Sequence, residues 1–261
     1  MKRNKDTSKV DEMDKDIEIT LKSLLSRNIN GVFATDSEDA KNKIIDMIPE
    51  GSVIGIGDST TVRQIGIKEE LSKRGIKVLD GFNLQSEYAN VKDWEELHTK
   101  PMMKSTICDV FLTGTNVVTQ DGRLLNVDGS GNRVAGMFWG HHKSIIIVGR
   151  NKIVKNIDEA FYRLRKVIAP NHLKIRAALK GDKRQKPPCV VEGKCYDCRT
   201  KERACNVFTI IEGKPLRTDI NLIIVNEDLG LGWDESWPRE RIEKIIEEYK
   251  KFVWNPSIKF P

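Results

Sequence analysis

The chain has no long apolar run: none of its 261 residues belong to a stretch near the roughly 20 apolar residues of a membrane-spanning helix. The charged opening "MKRNKDTSKVDEMDKD" also lacks the apolar core of a secretory signal. These two absences point to a cytoplasmic protein with no membrane span. Aromatic residues make up only 7%, so a base-stacking platform is not suggested. There is no G-x-S-x-G elbow, phosphate-binding G-x-x-x-x-G-K-[ST] loop or H-E-x-x-H helix, which disfavours serine hydrolases, nucleoside triphosphatases and zincin proteases. No internal repeat or low-complexity tract is visible.

What is present is an ordinary globular balance, 39% hydrophobic and 31% charged, in a chain long enough to bury a sizeable core. The net charge of +6 is uneven. Between Arg150 and Cys205 there are 16 Lys/Arg against 6 Asp/Glu, a local +10, and the remainder carries −4. Such a segment suits an anionic partner or a solvated lysine-rich face. Its few aromatics, Phe161, Tyr162 and Tyr196, are not interleaved with the cations as a base-stacking series, which counts against nucleic acid.

Hydrophobic periodicity gives an α/β alternation. Ile17, Leu21, Leu24 and Leu25 predict a helix from about Asp16, after a polar tail over 1–15. Ala40, Ile44, Met47 and Ile48 predict a second, begun by Asp36 or Ser37. The strand "SVIGIG" leads into one helix reaching about Lys73, and "IKVLD" is the next strand. "ICDVFLTG" and "SIIIVG" read as buried strands, with a hairpin between them at Asp121-Gly122. A helical stripe from Ile157 to Ile168 is expected to stop at Pro170. "VFTIIEG" and "INLIIVNEDLG" return to strands, and Ser236 and Pro238 open a closing helix bearing Ile242, Ile245, Ile246 and Tyr249. The expected organisation is a single α/β domain over 16–261 with a cysteine-rich insertion at 183–206.

That insertion, "CVVEGKCYDCRTKERAC", holds Cys189, Cys195, Cys198 and Cys205, four of the five cysteines. In C-x5-C-x2-C-x6-C the C-x2-C pair lets two thiolates from one turn reach a single metal, and two more complete four-fold coordination. An iron–sulfur cluster, with four irons favoured, and zinc both suit four thiolates. Structural cysteines or a redox dithiol are the other readings. Lys194, Arg199, Lys201 and Arg203 are expected to lower the thiol pKa values. Cys108, in "ICDVFL", reads as a core thiol outside this set.

Three glycine-rich turns suggest a pocket for a small anionic ligand. "GIGDSTT" follows a strand and offers Gly55, Gly57, Asp58, Ser59, Thr60 and Thr61, although the third glycine of a dinucleotide fingerprint is missing. "TGTN" ends a strand at the carboxyl edge where open α/β sheets bind ligands, with Thr113, Gly114, Thr115 and Asn116. "DGSGNR" contributes Asp128, Gly129, Gly131 and Asn132. Acids and bases are sparse. Asp58, Asp128 and Glu227 read as turn carboxylates, and His141 and His142 as a surface pair.

Together "IGIGDSTTVRQIGI", "FLTGTNVVTQDGRLLNVDGSGNRVAGMFWG" and "SIIIVGRNKIV", through the cysteine segment to "INLIIVNEDLG", resemble the lactate-utilisation (LUD) domain family over about residues 15–232. The resemblance implies a three-layer, parallel or mixed sheet like that of sugar isomerases and CoA transferases, with a ligand site at the strand ends. It also implies lactate-type redox metabolism beside iron–sulfur and flavin-containing partners. Lactate-oxidising members of the family carry a glutamate just before T-G-T. Here that position is Leu112, so a carboxylate is expected to be missing from the pocket edge. A non-redox isomerase or CoA-transferase-like enzyme, acting on a phosphorylated or CoA-bearing substrate with a structural zinc, is the alternative.

Overall fold

The computed structural model describes residues 13–82, 95–180 and 186–254. Most of the polar tail and the first residues of the insertion lie outside them. Among the described residues, six strands form an all-parallel sheet: β1 (Asn30–Ala34), β2 (Ile54–Ile56), β3 (Val78–Asp80), β4 (Val110–Gly114), β7 (Lys143–Gly149) and β10 (Asp219–Val225), in the order β1-β10-β7-β4-β2-β3. A parallel sheet is covered on both faces, so its central strands read as continuous apolar runs. In β7, Ile145 and Ile147 join one core cluster while Ile146 and Val148 join the other.

The first face is covered by α2 (Ser37–Met47), α3 (Thr60–Ile65) and α4 (Ile67–Lys73), through Ala40, Ile44, Val62, Ile65, Ile67 and Leu71. The Asp36 side chain caps α2 by accepting from Asp39 N (2.8 Å). The single helix expected after "GIG" is two helices, because Gly66 takes the left-handed conformation (φ 68°) and ends α3. The second face is shared by α1 (Lys15–Ser26), α6 (Asn132–Phe138) and a smaller sheet. In α1, Ile17, Thr20 and Leu24 face inward, but Leu25, one residue round the helix, is 75% exposed and does not join the expected stripe.

The smaller sheet orders β8 (Ile153–Val154), β5 (Val117–Thr119), β6 (Leu124–Asp128) and β9 (Val207–Ile211), with β5 and β6 as the expected antiparallel hairpin. Its outer side is covered by α7 (Ile157–Tyr162) and the π-helical turn Arg163–Ile168, through Ala160, Leu164 and Ile168. The helix does not stop at Pro170. It continues as α8 (Ala169–Lys180), because the wider π turn just before the proline relaxes the ladder that a proline ring and its missing N–H would otherwise break. Finally, α10 (Arg239–Phe252) packs Ile245 and Tyr249 against Val167, Ile175 and Leu231.

Candidate functional site

At the carboxyl ends of β2 and β4 lies a cavity of about 410 Å3. Its floor is formed by Asp58–Thr61 after β2, Gly114–Asn116 after β4, and Asp128–Ser130 with Asn132 and Arg133 after β6. Lys152, one turn past β7, and Gly230, past β10, close one side; α8 and the end of α10 form the roof.

Arg133 organises the floor. It is 8% exposed, and its guanidinium donates to Gly114 O (3.1 Å), Asn126 Oδ1 (2.8 Å), Asn116 Oδ1 (2.9 Å) and Val127 O (3.0 Å), with Asp128 as ion-pair partner at 3.4 Å. One arginine therefore ties the loop after β4 to β6. Asn126 Oδ1 also accepts from Thr115 Oγ1 and Asn116 N.

The other cations differ in their partners. Arg63 pairs with Asp58 at 2.7 Å and donates to Phe252 O. Burial works to raise the Asp58 pKa, but Arg63 and Arg176 outweigh it and hold the carboxylate below its usual value. Arg176 lies over the Trp254 ring at 5.3 Å and has no hydrogen bond or ion pair among the described residues. Lys152, 6% exposed, donates to Thr61 Oγ1 (2.9 Å) and Thr115 O (3.2 Å); burial, then the Arg133 charge, brings its pKa down to about 7. Burial, then Arg176, lowers His172 to about 3, so its ring is neutral and shares a 2.6 Å hydrogen bond with Tyr249 Oη. Burial raises the Tyr249 phenol to about 12. At neutral pH the cavity thus presents a fixed guanidinium, a neutral imidazole–phenol pair and an amine near its midpoint.

A family model described as the LUD domain matches residues 17–225. The chain belongs to the LUD domain family. Among solved structures, a DUF162 family protein from Deinococcus radiodurans aligns at 16% identity over 82% of this chain and 99% of that one, with a TM-score of 0.44. Ribose 5-phosphate isomerase A from Neisseria gonorrhoeae aligns at 19% identity over 54% and 62% (TM-score 0.30), and that from Methanocaldococcus jannaschii at 17% over 58% and 75% (TM-score 0.32). No curated protein matches. Tyr249, Val253 and Trp254, which roof the cavity, lie beyond the residues matched by the LUD model.

Within this LUD domain, Asp58, Ser59, Thr60, Thr61, Gly114, Thr115, Asn116, Asp128, Gly129 and Asn132 line the cavity, whereas Gly55, Gly57, Thr113 and Gly131 do not. Gly55 packs against the end of α5 (Lys100–Ser105), where a Cβ would lie 1.9 Å from Ser105 O. Gly57 makes room for Phe111 and Thr113, Gly131 is a left-handed residue (φ 87°) before α6, and Thr113 is fully buried. Leu112 is also in the core beside Ile56 and Val110, so its side chain is no part of the pocket edge. His141 is not on the surface. It is 7% exposed, stacks on Phe111 and hydrogen-bonds Ser144 Oγ (2.7 Å); only His142 is exposed. Cys108 sits in the bend before β4 and is half-buried, not inside the strand. The sequence reading missed Arg133, Lys152, His172, Arg176 and Tyr249. The first two stand beside motifs it had noted, in "GSGNR" and "GRNKIV", but the others sit on helices whose amphipathic pattern says nothing about a cavity.

All five cysteines are free thiols, and Cys189, Cys195, Cys198 and Cys205 line one small cavity of about 30 Å3. Asp197, in the left-handed region at φ 51°, turns the chain between Cys195 and Cys198 and is held by Arg165 and Arg203, each at 2.9 Å. Lys166 donates to Cys195 O (3.2 Å), and Arg203 to Cys205 O (2.9 Å) and Cys198 O. Part of the +10 segment is thus engaged by its own cysteine turns. The expected lowering of thiol pKa is overturned at two sites: burial, then neighbouring cysteines, raises Cys189 and takes Cys205 to about 11, although Arg203 opposes this at Cys205. The donor set is chemically right for a thiolate-bound metal. However, among the described residues no group of three or more His, Cys, Asp or Glu side chains is placed to hold an ion, so the thiols share a cavity without forming a closed cage. No helix among the described residues is long and apolar enough to cross a membrane.

Proposed function

We propose that this LUD protein is a single domain over 16–261 that takes part, in the cytoplasm, in the redox metabolism of a small hydroxy or oxo acid of lactate type. The acid would sit in the polar cavity, with an iron–sulfur cluster held by Cys189, Cys195, Cys198 and Cys205 next to it. The observation that carries this reading is the shared wall: Ala204 and Cys205 line both the polar cavity and the thiol cavity. A bound cluster supplies one-electron transfer, which suits iron–sulfur or flavin proteins as partners. Arg176 is a guanidinium of the cavity with no ion pair among the described residues, Asp58 being paired with Arg63, so it receives the acid's carboxylate group. His172 and Tyr249, uncharged at neutral pH, face the hydroxyl or oxo oxygen without competing for that charge.

The test is iron and acid-labile sulfide content on protein purified without air, together with melting curves in lactate and pyruvate. Bound iron and sulfide lost on Cys→Ser substitution, and a rise in melting temperature with either acid, support the reading. Colourless protein without iron removes the redox part.

A second reading, an isomerase or CoA-transferase-like activity on a phosphorylated or CoA-bearing substrate with structural zinc, is favoured by size. A cavity of about 410 Å3 is within the range that holds ligands much larger than a three-carbon acid. It expects zinc in place of iron, and a sugar phosphate or CoA that stabilises more than lactate does.

A further inference from the structure

Lys152 is the buried group that the proposed function leaves without a task. It closes a 3-10 turn, Arg150–Lys152, directly after β7, and its amine reaches the cavity between the loops that follow β2 and β4. Among the described residues two acceptors meet it, Thr61 Oγ1 and Thr115 O, and neither is a carboxylate. An ammonium has three N–H donors, so the charged form would turn one towards the cavity; a neutral amine has two, and they match the two acceptors. The lone pair is then the remaining feature of the nitrogen.

The surroundings also fix its place. Gly230, at φ 70°, passes so close that a Cβ there would lie 2.4 Å from Nζ and 2.6 Å from Thr61 Oγ1, and its N–H is anchored on Gln64 Oε1 (2.6 Å). The charged group acting on the amine is Arg133, whose own guanidinium is committed to the floor and Asp128; Thr61, Thr115, Gly230 and Gly232, packed around the side chain, carry no charge. Burial and that charge bring the lysine near its midpoint at pH 7. It then holds about a thousandfold more free amine than an exposed lysine does.

We propose that Lys152 is a catalytic nucleophile whose amine condenses with the carbonyl carbon of a 2-oxo acid bound in the cavity, forming an imine. The C–N bond forms as the carbonyl π bond opens. The nitrogen gives up two protons, and the former carbonyl oxygen leaves with them as water, so no oxidant or further reactant enters. The inference rests on the oxo-acid reading above, with the carboxylate of the acid at Arg176.

The experiment treats the full-length protein at pH 7 with pyruvate or glyoxylate and cyanoborohydride, followed by intact mass and peptide mapping. The expected result is one reduced adduct per chain, on Lys152, saturating with acid concentration and absent from Lys152→Met. Mapping of the unmodified sequence alone suffices if that variant does not fold: labelling at Lys152 should level off above about pH 7 while exposed lysines continue to climb towards their ordinary pKa. Adducts spread over surface lysines, or an equal adduct in Lys152→Met, overturn the proposal. Stabilisation of the protein by pyruvate without any adduct overturns the imine and leaves the oxo-acid reading standing. Neither stabilisation nor adduct overturns both.

Discussion

The two neighbouring cavities are built in opposite ways. The polar one is made by strand ends and helices, and its floor groups are interlocked, with Arg133 alone satisfying four acceptors in β6 and at the end of β4. In the thiol one, α8 and Phe208 of β9 form one wall, but the cysteines come from a short helix, α9 (Pro188–Glu192), and an irregular segment whose exposed turns are pinned chiefly by Arg165, Lys166 and Arg203. Preorganisation of the first is a product of the fold. The second has the right donors in one place but no closed cage, as expected where the added group itself completes the site. The two should therefore respond differently to substitution.

The largest effect belongs to the floor. Arg133→Met removes the donors of Gly114 O, Asn126 Oδ1, Asn116 Oδ1 and Val127 O and leaves Asp128 uncompensated, at a cost of about 3–5 kcal/mol. Urea denaturation measures this. A loss below about 1 kcal/mol would mean that water or repacking replaces the network, and that the floor is less rigid than its bonding suggests.

Next comes Gly55, which distinguishes packing from binding. Gly55→Ala would drive a Cβ to 1.9 Å from a backbone carbonyl, and overpacking of this kind costs about 1–3 kcal/mol. The expected signature is a lower melting temperature with unchanged affinity for any ligand of the cavity. A selective loss of affinity would return Gly55 to the site.

That case shows what could be read from the sequence and what could not. Buried strands announce themselves by composition, so "SIIIVG" and "INLIIV" were legible, as was the Asp121-Gly122 hairpin. The edge strand β1 was not: in "NGVFA" the Asn-Gly pair reads as a turn, and only Ala34 is fully buried. Glycine-rich turns marked most of the floor, because a chain that closes around a small ligand needs glycine and hydroxyl side chains there. The same glycine signal is produced by close packing, as at Gly55 and Gly57. The roof, by contrast, is set by tertiary approach. His172 and Arg176 on α8 meet Tyr249 and Trp254 from residues far along the chain, and no local pattern encodes that meeting.

The pH dependence of stability probes this roof. The His172 pKa is depressed when folded, so between about 6.5 and 3 the unfolded chain binds the proton and the folded chain does not. Stability contributed by the neutral ring is therefore present above about pH 6.5 and is lost as pH falls towards 3, by on the order of 1 kcal/mol once solvent access to the half-buried ring is allowed for. His172→Gln should flatten the acid limb of the stability curve. An unchanged limb would assign the acid sensitivity to the paired carboxylates instead. Lys152, with a folded pKa near 7 against 10.5, acts in the next window: its contribution grows as pH rises from about 7 to 10.5, where the unfolded chain alone holds the extra proton.

The smallest effect is expected in the thiol cavity when no metal is bound. Cys195 and Cys198 are partly exposed in an irregular turn, and their backbone is fixed by Asp197, Arg165 and Arg203 and not by the sulfur atoms. Cys195→Ser and Cys198→Ser should therefore change the stability of chelator-treated protein by no more than about 0.5 kcal/mol, the range of ordinary surface substitutions. If the protein is purified with the proposed cluster or a zinc bound, the same changes should abolish metal retention and lower the melting temperature, because binding energy released at a site completed by the ion becomes folding energy. Equal losses with and without metal would show that the thiols are structural, and the contrast between a cavity built by the fold and one finished by its ligand would fail.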